Sequence, residues 1–284
     1  MKSKDTFFSK KYSLNCRGKL INLSTPQIMG ILNVTPDSFY DGGKFRTKKE
    51  ILKKTGQMIE EGALIIDVGA YSSRPGAENI SPEEEIKRLR IALETIRTDF
   101  PDVIISVDTF RSQVALMAVK EYEADIVNDI SAGVADEAMF DIIAELNVPY
   151  IMMHIKGTPQ NMQDNPTYDN VVEEIVKYFS EKVQKAKLSG ICDIIIDPGF
   201  GFGKTLEHNY QILNQLDAFK LFELPVLVGL SRKSMIYKAL DTTPEEALIG
   251  TTVLNTIAIM NGANILRVHD VKEAMETIKL CSLC

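Results

Sequence analysis

The fold is decided by Gln27-Ile28-Met29-Gly30-Ile31-Leu32-Asn33, a short apolar run that ends at a polar side chain. Similar runs recur along the rest of the chain, separated by tens of residues. They are Ala63 to Asp67, Val103 to Asp108, Asp125 to Asn128, Pro149 to His154, Asp193 to Asp197, Pro225 to Ser231 and Asn264 to His269. Buried strands that alternate with helical segments predict an α/β fold, here a single (β/α)8 TIM barrel.

The polar ends of these runs are expected to lie close together. In such a barrel the interior is packed with side chains, and the active site is built at the C-terminal ends of the strands. The side chains expected on this rim are Asn33, Asp67, Asp108, Asn128, His154, Asp197 and His269. So many polar groups on one rim predict a binding or catalytic site rather than a set of unrelated, solvated strand ends.

Length and charge fit one barrel and exclude several classes of protein. The chain has 284 residues, and we predict an N-terminal segment (1–26), one barrel domain (27–280) and a short, loose tail (281–284) that contains Cys281 and Cys284. The net charge of −7 and the lack of a basic run argue against nucleic acid or a membrane as a partner. The Lys- and Arg-containing N-terminus and the four scattered cysteines indicate a cytoplasmic protein with reduced thiols.

Helices with readable starts separate the strands. Thr47 with Glu50, and Ser81-Pro82-Glu83-Glu84, are typical of helix N-termini. Further helices are predicted over Ser112 to Glu121, Val171 to Lys187, Asn209 to Phe219 and Pro244 to Met260.

Three of the strand-to-helix loops are long, whereas such loops usually have about 2 to 6 residues. They run from Val34 to Arg46, from Val68 to Ile80 and from Ile155 to Asp169. We predict that the loops after the first and second strands are mobile and functional. Their hydroxyl, Asp and Arg side chains could hold a phosphate and its metal ion.

Several familiar motifs are excluded by single residues. Gly203-Lys204-Thr205 is not the end of a phosphate-binding P-loop, because Pro198 occupies the position of the first glycine. Ser231 is not in a nucleophile elbow, because Lys233 replaces the required glycine.

The strand-end histidines leave a metal-dependent hydrolase of the amidohydrolase type open as one alternative. The usual His-x-His pair of that class is absent after the first strand, where this chain has Asn33. Alternation along a strand instead places Arg267 and His269 on the same face, an arrangement suited to an anion.

Eight segments together resemble the dihydropteroate synthase family, from about Gln27 to the C-terminus. They are Met29 to Phe39 (MGILNVTPDSF), Ser73 to Gly76 (SRPG), Ser106 to Thr109 (SVDT), Asn128 to Ile130 (NDI), Met153-His154, Asp197 to Lys204 (DPGFGFGK), Ser231 to Ser234 (SRKS) and Arg267 to Asp270 (RVHD). One departure is visible: the family usually has Gly-Glu-Ser-Thr-Arg where this chain has Ala70-Tyr71-Ser72-Ser73-Arg74. We expect altered packing of that loop rather than lost activity.

The resemblance implies a transferase that joins 4-aminobenzoate to (7,8-dihydropterin-6-yl)methyl diphosphate, and it assigns a role to each site residue. The implied pterin contacts are Asp108, Asn128, Ile130, Met152, Asp197 and Lys233. The implied diphosphate contacts are Asn33, Ser73, Arg74, Arg267 and His269. The implied aminobenzoate contacts are Phe39, Ser73, Pro75, Phe202, Lys233 and Ser234. Asp108, Lys233, Arg267 and His269 are the implied catalytic residues, and Asn33 and Asp41 the implied Mg²⁺ ligands.

The resemblance also implies a homodimer, a target of sulfonamides, and a reaction without a protein nucleophile. Diphosphate would leave first, and the arylamine would attack the resulting pterin cation. Two alternatives share the barrel: a pterin-dependent methyltransferase that acts on a corrinoid, and a non-catalytic pterin-binding relative. Lys233 and the Ser73-Arg74-Pro75-Gly76 loop favour the synthase over the first, and the presence of Asn33, Arg74 and Lys233 favours it over the second.

Overall fold

The computed structural model describes residues 12–34, 48–72 and 79–284. An antiparallel hairpin of β1 (Ser13–Cys16) and β2 (Lys19–Asn22) comes first. Arg17 in its turn donates from Nε to Asp125 Oδ1 at 2.6 Å, which ties the hairpin to the N-terminal end of the barrel.

Parallel strands form the barrel. They are β3 (Gln27–Asn33), β4 (Ile65–Gly69), β5 (Ile104–Asp108), β6 (Ile126–Asp129), β7 (Tyr150–Met153), β8 (Ile194–Asp197), β9 (Leu227–Val228) and β10 (Ile265–Val268). Each strand pairs with the next along the chain, and β10 pairs with β3. A parallel bridge between Ile196 and Val226 joins β8 to β9, so the sheet closes on itself. The predicted (β/α)8 barrel is confirmed.

Helices pack around the outside of the described barrel. They are α1 (Lys48–Glu61), α2 (Pro82–Asp99), α3 (Ser112–Tyr122), α4 (Met139–Leu146), α5 (Val171–Leu188), α6 (Leu206–Asn214), α7 (Ser234–Tyr237), α8 (Leu248–Met260) and α9 (Val271–Cys281), with a 3-10 helix over Leu216–Phe222. No helix in the described ranges has the length and hydropathy needed to cross a membrane.

Local hydrogen bonds explain where two of these helices begin. Ser81 caps α2, as predicted, by accepting the Glu84 N–H at 3.3 Å. The helix predicted over Asn209 to Phe219 begins earlier, at Leu206, because Thr205 and His208 cap its N-terminus reciprocally, each accepting the other's backbone N–H at 3.2 Å. Its C-terminal part is the separate 3-10 helix.

The barrel interior changes from apolar to polar along the strands. The layer nearest the hairpin takes one apolar side chain from each strand and is covered by Leu14, Cys16 and Leu23. Its members are Met29, Ile65, Ile104, Ile126, Ile151, Ile195, Leu227 and Ile265. Because alternate residues of a strand face the same side, the residues two positions further on also face inward. Asp67, Ser106, Asn128, Asp197 and Arg267 occupy those positions, directly above the apolar floor.

Candidate active site

Arg267 is at the centre of a buried ionic network. Its Nε donates to Asp67 Oδ2 at 2.7 Å, and its Nη2 donates to Asp108 Oδ2 at 2.7 Å. Asn128 Nδ2 also donates to Asp67 Oδ2, at 3.2 Å. Among the described residues, nothing accepts a hydrogen bond from Nη1 of Arg267, so two carboxylates orient the guanidinium group and leave one edge available for a ligand.

Asp67 is a member of this network to which the sequence assigned no role. The prediction that Asp67 ends its strand is wrong, because β4 continues for two residues to Gly69 and places Asp67 one layer down, inside the barrel. The side chain is fully buried. Its Oδ1 has no hydrogen-bond partner in the described structure. Asp67 therefore orients Arg267 and Asn128 from within the same polar layer.

Asp197 lies at the C-terminal end of β8, with one carboxylate oxygen already bound. Its Oδ1 accepts the Gly199 N–H at 2.7 Å. Its Oδ2 has no hydrogen-bond donor among the described residues, and the side chain is only 6% exposed. Gly199 has a φ of +72°, and a Cβ there would lie 1.9 Å from the His154 carbonyl oxygen. Only glycine therefore permits the tight turn that fixes this carboxylate.

Lys233 extends from the segment after β9 toward Asp197. Its Nζ donates to the Phe200 carbonyl oxygen and lies 4.8 Å from the centroid of the Phe202 ring. The Gly229 backbone passes close to this ammonium group, since a Cβ at Gly229 would lie 3.6 Å from Nζ, in ordinary van der Waals contact. Burial lowers the pKa of Lys233 to about 8, with the Asp197 charge opposing and the Arg267 charge assisting the shift.

Burial acts on the carboxylates in the opposite direction. It raises the pKa of Asp197 and of Asp108 above their ordinary values. In each case a nearby cation, Lys233 for Asp197 and Arg267 for Asp108, opposes the rise. Burial raises the pKa of Asp108 to about 7, and its direct contact with Arg267 favours the ionised form.

Asn33 and Asp108 face the same gap on either side of Gly69. A Cβ at Gly69 would lie 3.6 Å from Asn33 Oδ1 and 3.5 Å from Asp108 Oδ2. The Asn33 oxygen is a suitable ligand for a hard cation such as Mg²⁺, whereas Asp108 Oδ2 already accepts from Arg267 Nη2. Within residues 12–34, 48–72 and 79–284, no group of three His, Cys, Asp or Glu side chains could hold a metal ion.

His269 lies at the mouth of the barrel, beyond Arg267 on the same strand face. Its ring Nδ1 and its backbone nitrogen each lie 3.2 Å from Ser231 Oγ, which orients the ring. The side chain is exposed, so its Nε2 edge is accessible to a ligand. Arg232, in contrast, points away: its Nε and Nη2 each bind Asp270 at 2.9 Å.

His154 is buried below the rim and is bound by a residue that the sequence did not single out. Lys204 Nζ lies 3.0 Å from His154 Nδ1 and also donates to the carbonyl oxygens of His154 and Phe202. Burial and the Lys204 charge lower the pKa of His154, so the imidazole is neutral. With Nδ1 engaged by an ammonium group, this atom is not available as a metal ligand.

Tyr71, the departure from the family pattern, joins three loops. Its ring packs edge-on against Phe110, with centroids 5.0 Å apart, and Gln160 Nε2 donates to its hydroxyl oxygen at 3.1 Å. The Arg111 guanidinium carbon lies 5.5 Å from its centroid. The start of the loop after β4 is thereby packed against residues that follow β5 and β7.

The remaining predicted site residues differ in their placement. Met152 was predicted to contact the pterin, but its side chain belongs to the core between the strands and the helices. Strand alternation puts Met153 on the inner face instead. Ile130 is buried beyond the end of β6, and Phe202 and Ser234 are half-buried near Lys233. Five predicted contacts lie outside the described residues: Phe39, Asp41, Ser73, Arg74 and Pro75.

Comparisons with known proteins agree with this arrangement. The family model described as pterin binding enzyme matches residues 29–269. The dihydropteroate synthase of Escherichia coli (strain K12) is 45% identical over 269 residues, which cover 94% of each chain. The crystal structure of Yersinia pestis dihydropteroate synthase with a sulfonamide drug complex superposes with a TM-score of 0.90 at 40% identity, covering 96% of this chain and 98% of that one.

A further solved structure is that of Xanthomonas albilineans dihydropteroate synthase with 4-aminobenzoic acid. It has a TM-score of 0.89 and 36% identity, and the match covers 96% of this chain and 98% of that one. These names favour the synthase over the methyltransferase and the non-catalytic alternatives. The chain belongs to the family of pterin binding enzymes and, within it, to the dihydropteroate synthases.

Proposed function

We propose that this chain joins 4-aminobenzoate to (7,8-dihydropterin-6-yl)methyl diphosphate, releasing diphosphate and forming 7,8-dihydropteroate. The observation that carries the proposal is the polar layer at the barrel mouth. It combines a carboxylate oxygen without a described donor at Asp197 with two fixed cations, Lys233 and Arg267. A ligand with adjacent N–H donors at one end and an anionic leaving group at the other matches this layer.

The pterin would be bound by its amino-pyrimidinone edge. Adjacent N–H donors of that edge pair with Asp197, whose Gly199 contact fixes the carboxylate. Asn128 is held by Asp67, so its amide oxygen is directed into the site as an acceptor. Lys233 donates to the acceptor side of the ring, and Asp108 completes the polar contacts.

The diphosphate would lie beside Arg267 and His269. When the bond between the methylene carbon and the diphosphate oxygen breaks, diphosphate leaves with the bonding electrons and the pterin becomes a delocalised cation. The amine nitrogen of 4-aminobenzoate attacks that carbon and then loses a proton. Arg267, already oriented by two carboxylates, stabilises the charge that develops on the departing anion.

The 4-aminobenzoate would bind near Lys233, against the half-buried Phe202 ring and Ser234. Phe39, Ser73 and Pro75 would contribute the rest of this subsite, as the family resemblance implies. A sulfonamide, which carries a similar aromatic amine, would compete for the same place.

Mg²⁺ is the proposed cofactor, bound together with the diphosphate oxygens. Asn33 would supply its amide oxygen, and Asp41 a carboxylate. When bound, Mg²⁺ supplies positive charge to the departing diphosphate. The Asn33 amide oxygen beside Gly69 fits a hard, partly hydrated cation.

A homodimer is also proposed, with α8 in the contact. Three apolar side chains on one side of this helix are exposed: Ile249 (79%), Val253 (50%) and Met260 (58%). They repeat at intervals of four and seven residues, so they form one stripe. Such a stripe is typical of a protein interface. A cytoplasmic location stays a prediction from the sequence.

The reaction is tested by supplying (7,8-dihydropterin-6-yl)methyl diphosphate and 4-aminobenzoate with Mg²⁺ and measuring dihydropteroate by chromatography. The Arg267→Met variant keeps the length of the side chain but loses its charge, and we expect turnover to fall by about 100-fold or more. A control without 4-aminobenzoate should give no product. Formation of dihydropteroate at the wild-type rate by Arg267→Met would contradict the role of this residue.

A further inference from the structure

A buried lysine and a buried histidine contact each other behind the proposed pterin site. Lys204 is only 4% exposed and His154 only 6% exposed. Lys204 Nζ has three acceptors: His154 Nδ1 at 3.0 Å, the His154 carbonyl oxygen at 3.3 Å and the Phe202 carbonyl oxygen at 2.9 Å. An ammonium group has three hydrogens to donate, so all of them are used inside the protein.

Both ends of this contact are fixed by their surroundings. The His154 ring packs edge-on against Tyr178, with centroids 4.9 Å apart. Because Nδ1 accepts from an ammonium group, the ring carries its proton on Nε2. Burial lowers the pKa of Lys204, and the Asp197 charge opposes that shift. An isolated buried lysine is costly, so satisfied acceptors on every side are what permit it here.

The contact holds the glycine-rich loop (residues 199–203) against the end of β7. A Cβ at Gly203 would lie 2.5 Å from the Lys156 carbonyl oxygen, so the two backbones approach closely there too. This loop carries the Phe200 carbonyl that accepts from Lys233, and the Phe202 ring beside the same ammonium group. Lys204 directly follows the loop and binds the Phe202 carbonyl, so its position determines where the loop lies.

We infer that Lys204 and His154 form a buried latch that positions the glycine-rich loop, and through it Lys233, for pterin binding. Neither residue touches the substrate; both are positioning residues. The inference rests on the proposed function, since it concerns the same pterin site. It adds that the basic residue of Gly203-Lys204-Thr205 acts on protein atoms rather than on a phosphate.

The test compares variants by calorimetric titration with 6-hydroxymethylpterin and, separately, with magnesium diphosphate. Lys204→Met keeps the length and removes the three donated hydrogen bonds. We expect its Kd for the pterin to rise about tenfold, while its Kd for diphosphate stays within about twofold. A general loss of folding would weaken both ligands alike. Lys187→Met is the control, because Lys187 is an exposed lysine in the last turn of α5, at the end of the barrel opposite to this loop.

Two variants of His154 provide a second test in case Lys204→Met does not fold. His154→Leu removes the Nδ1 acceptor, whereas His154→Asn keeps an acceptor close to the same position. We expect about fivefold weaker pterin binding for Leu and nearly wild-type binding for Asn. The Lys204→Met/His154→Leu double variant should bind the pterin no more weakly than Lys204→Met alone, because the latch can be lost only once.

The outcomes separate the latch from the function. If the wild-type protein does not bind the pterin, the proposed function fails first. If the wild type binds it, and Lys204→Met or His154→Leu binds equally well, the latch is wrong while the function stands. Equal weakening by His154→Asn and His154→Leu, or additive effects in the double variant, would also overturn the latch.

Discussion

Asp197→Asn should abolish useful pterin binding while preserving the fold. In the wild type, Oδ1 accepts the Gly199 N–H at 2.7 Å, and an asparagine amide oxygen can keep that bond. The substitution changes only the other end of the side chain, where an N–H donor replaces the acceptor that faces the ligand. Because the carboxylate is 6% exposed, water cannot readily replace the lost contact.

The magnitude follows from two losses. A hydrogen bond to a charged group contributes about 1.5 to 3 kcal/mol, and leaving a ligand donor unpaired in a buried site costs about 1 to 3 kcal/mol. The sum, roughly 2.5 to 6 kcal/mol, corresponds to an about 70- to 25,000-fold weaker Kd. Isothermal titration calorimetry with 6-hydroxymethylpterin measures it. Asp164→Asn, which removes the same charge from an exposed position in the loop after β7, is the control.

Thermal unfolding of Asp197→Asn should stay close to wild type, because the Gly199 turn keeps its hydrogen bond. A pterin affinity within threefold of wild type would show that Asp197 does not bind the pterin, and the assignment of the whole subsite would have to be revised.

Four further outcomes are expected. Lys233→Ala should lose at least about 100-fold in turnover with unchanged circular dichroism, because it removes a charge at the site; unchanged turnover would contradict its role. The kcat/KM of the wild type should fall as pH rises through about 8, since the pKa of Lys233 is lowered to that value and the ammonium charge is present only below it; a profile flat to pH 10 would argue against this. Saturating magnesium diphosphate should raise the affinity for 4-aminobenzoate about 5- to 150-fold, because the sequence predicts that the anion orders the long rim loops. Equal affinities in titrations with and without magnesium diphosphate would refute that coupling. Val253→Asp should give a monomer by light scattering, with Leu188→Asp on α5 as the control, and a persisting dimer would exclude the α8 contact.

The barrel could be predicted because its strands are buried on both faces. Each strand is then a continuous apolar run, and the change to polar residues shows where the run reaches the rim. Arg267 and His269 were placed on one face by strand alternation alone. The Asp197 and Lys233 assignments came from the family resemblance, and the structure brings the two side chains to the same mouth.

Other features depend on strand ends and register that the sequence does not specify. An aspartate after an apolar run was interpreted as a strand end, but Val68 and Gly69 continue β4 and bury Asp67 inside the barrel. Met152 and Met153 are adjacent and chemically identical, so only the register of β7 decides which one faces inward.

The latch between His154 and Lys204 joins residues 50 positions apart. Neither residue carries a local signal of the contact, because it arises only when the loop after β8 folds against the end of β7. Gly199, with its close approach to the His154 carbonyl, is the nearest indication in the sequence, and it becomes informative only once the backbone is known.

The central claim is that the barrel mouth couples diphosphate departure to arylamine attack. The most direct measurement is the rate of diphosphate release from (7,8-dihydropterin-6-yl)methyl diphosphate, with Mg²⁺ present, as a function of 4-aminobenzoate concentration. The account predicts saturable release matched one to one by dihydropteroate, with release abolished or reduced to hydrolysis when the amine is omitted. Diphosphate release at the same rate with and without 4-aminobenzoate, or no release under either condition, would contradict it.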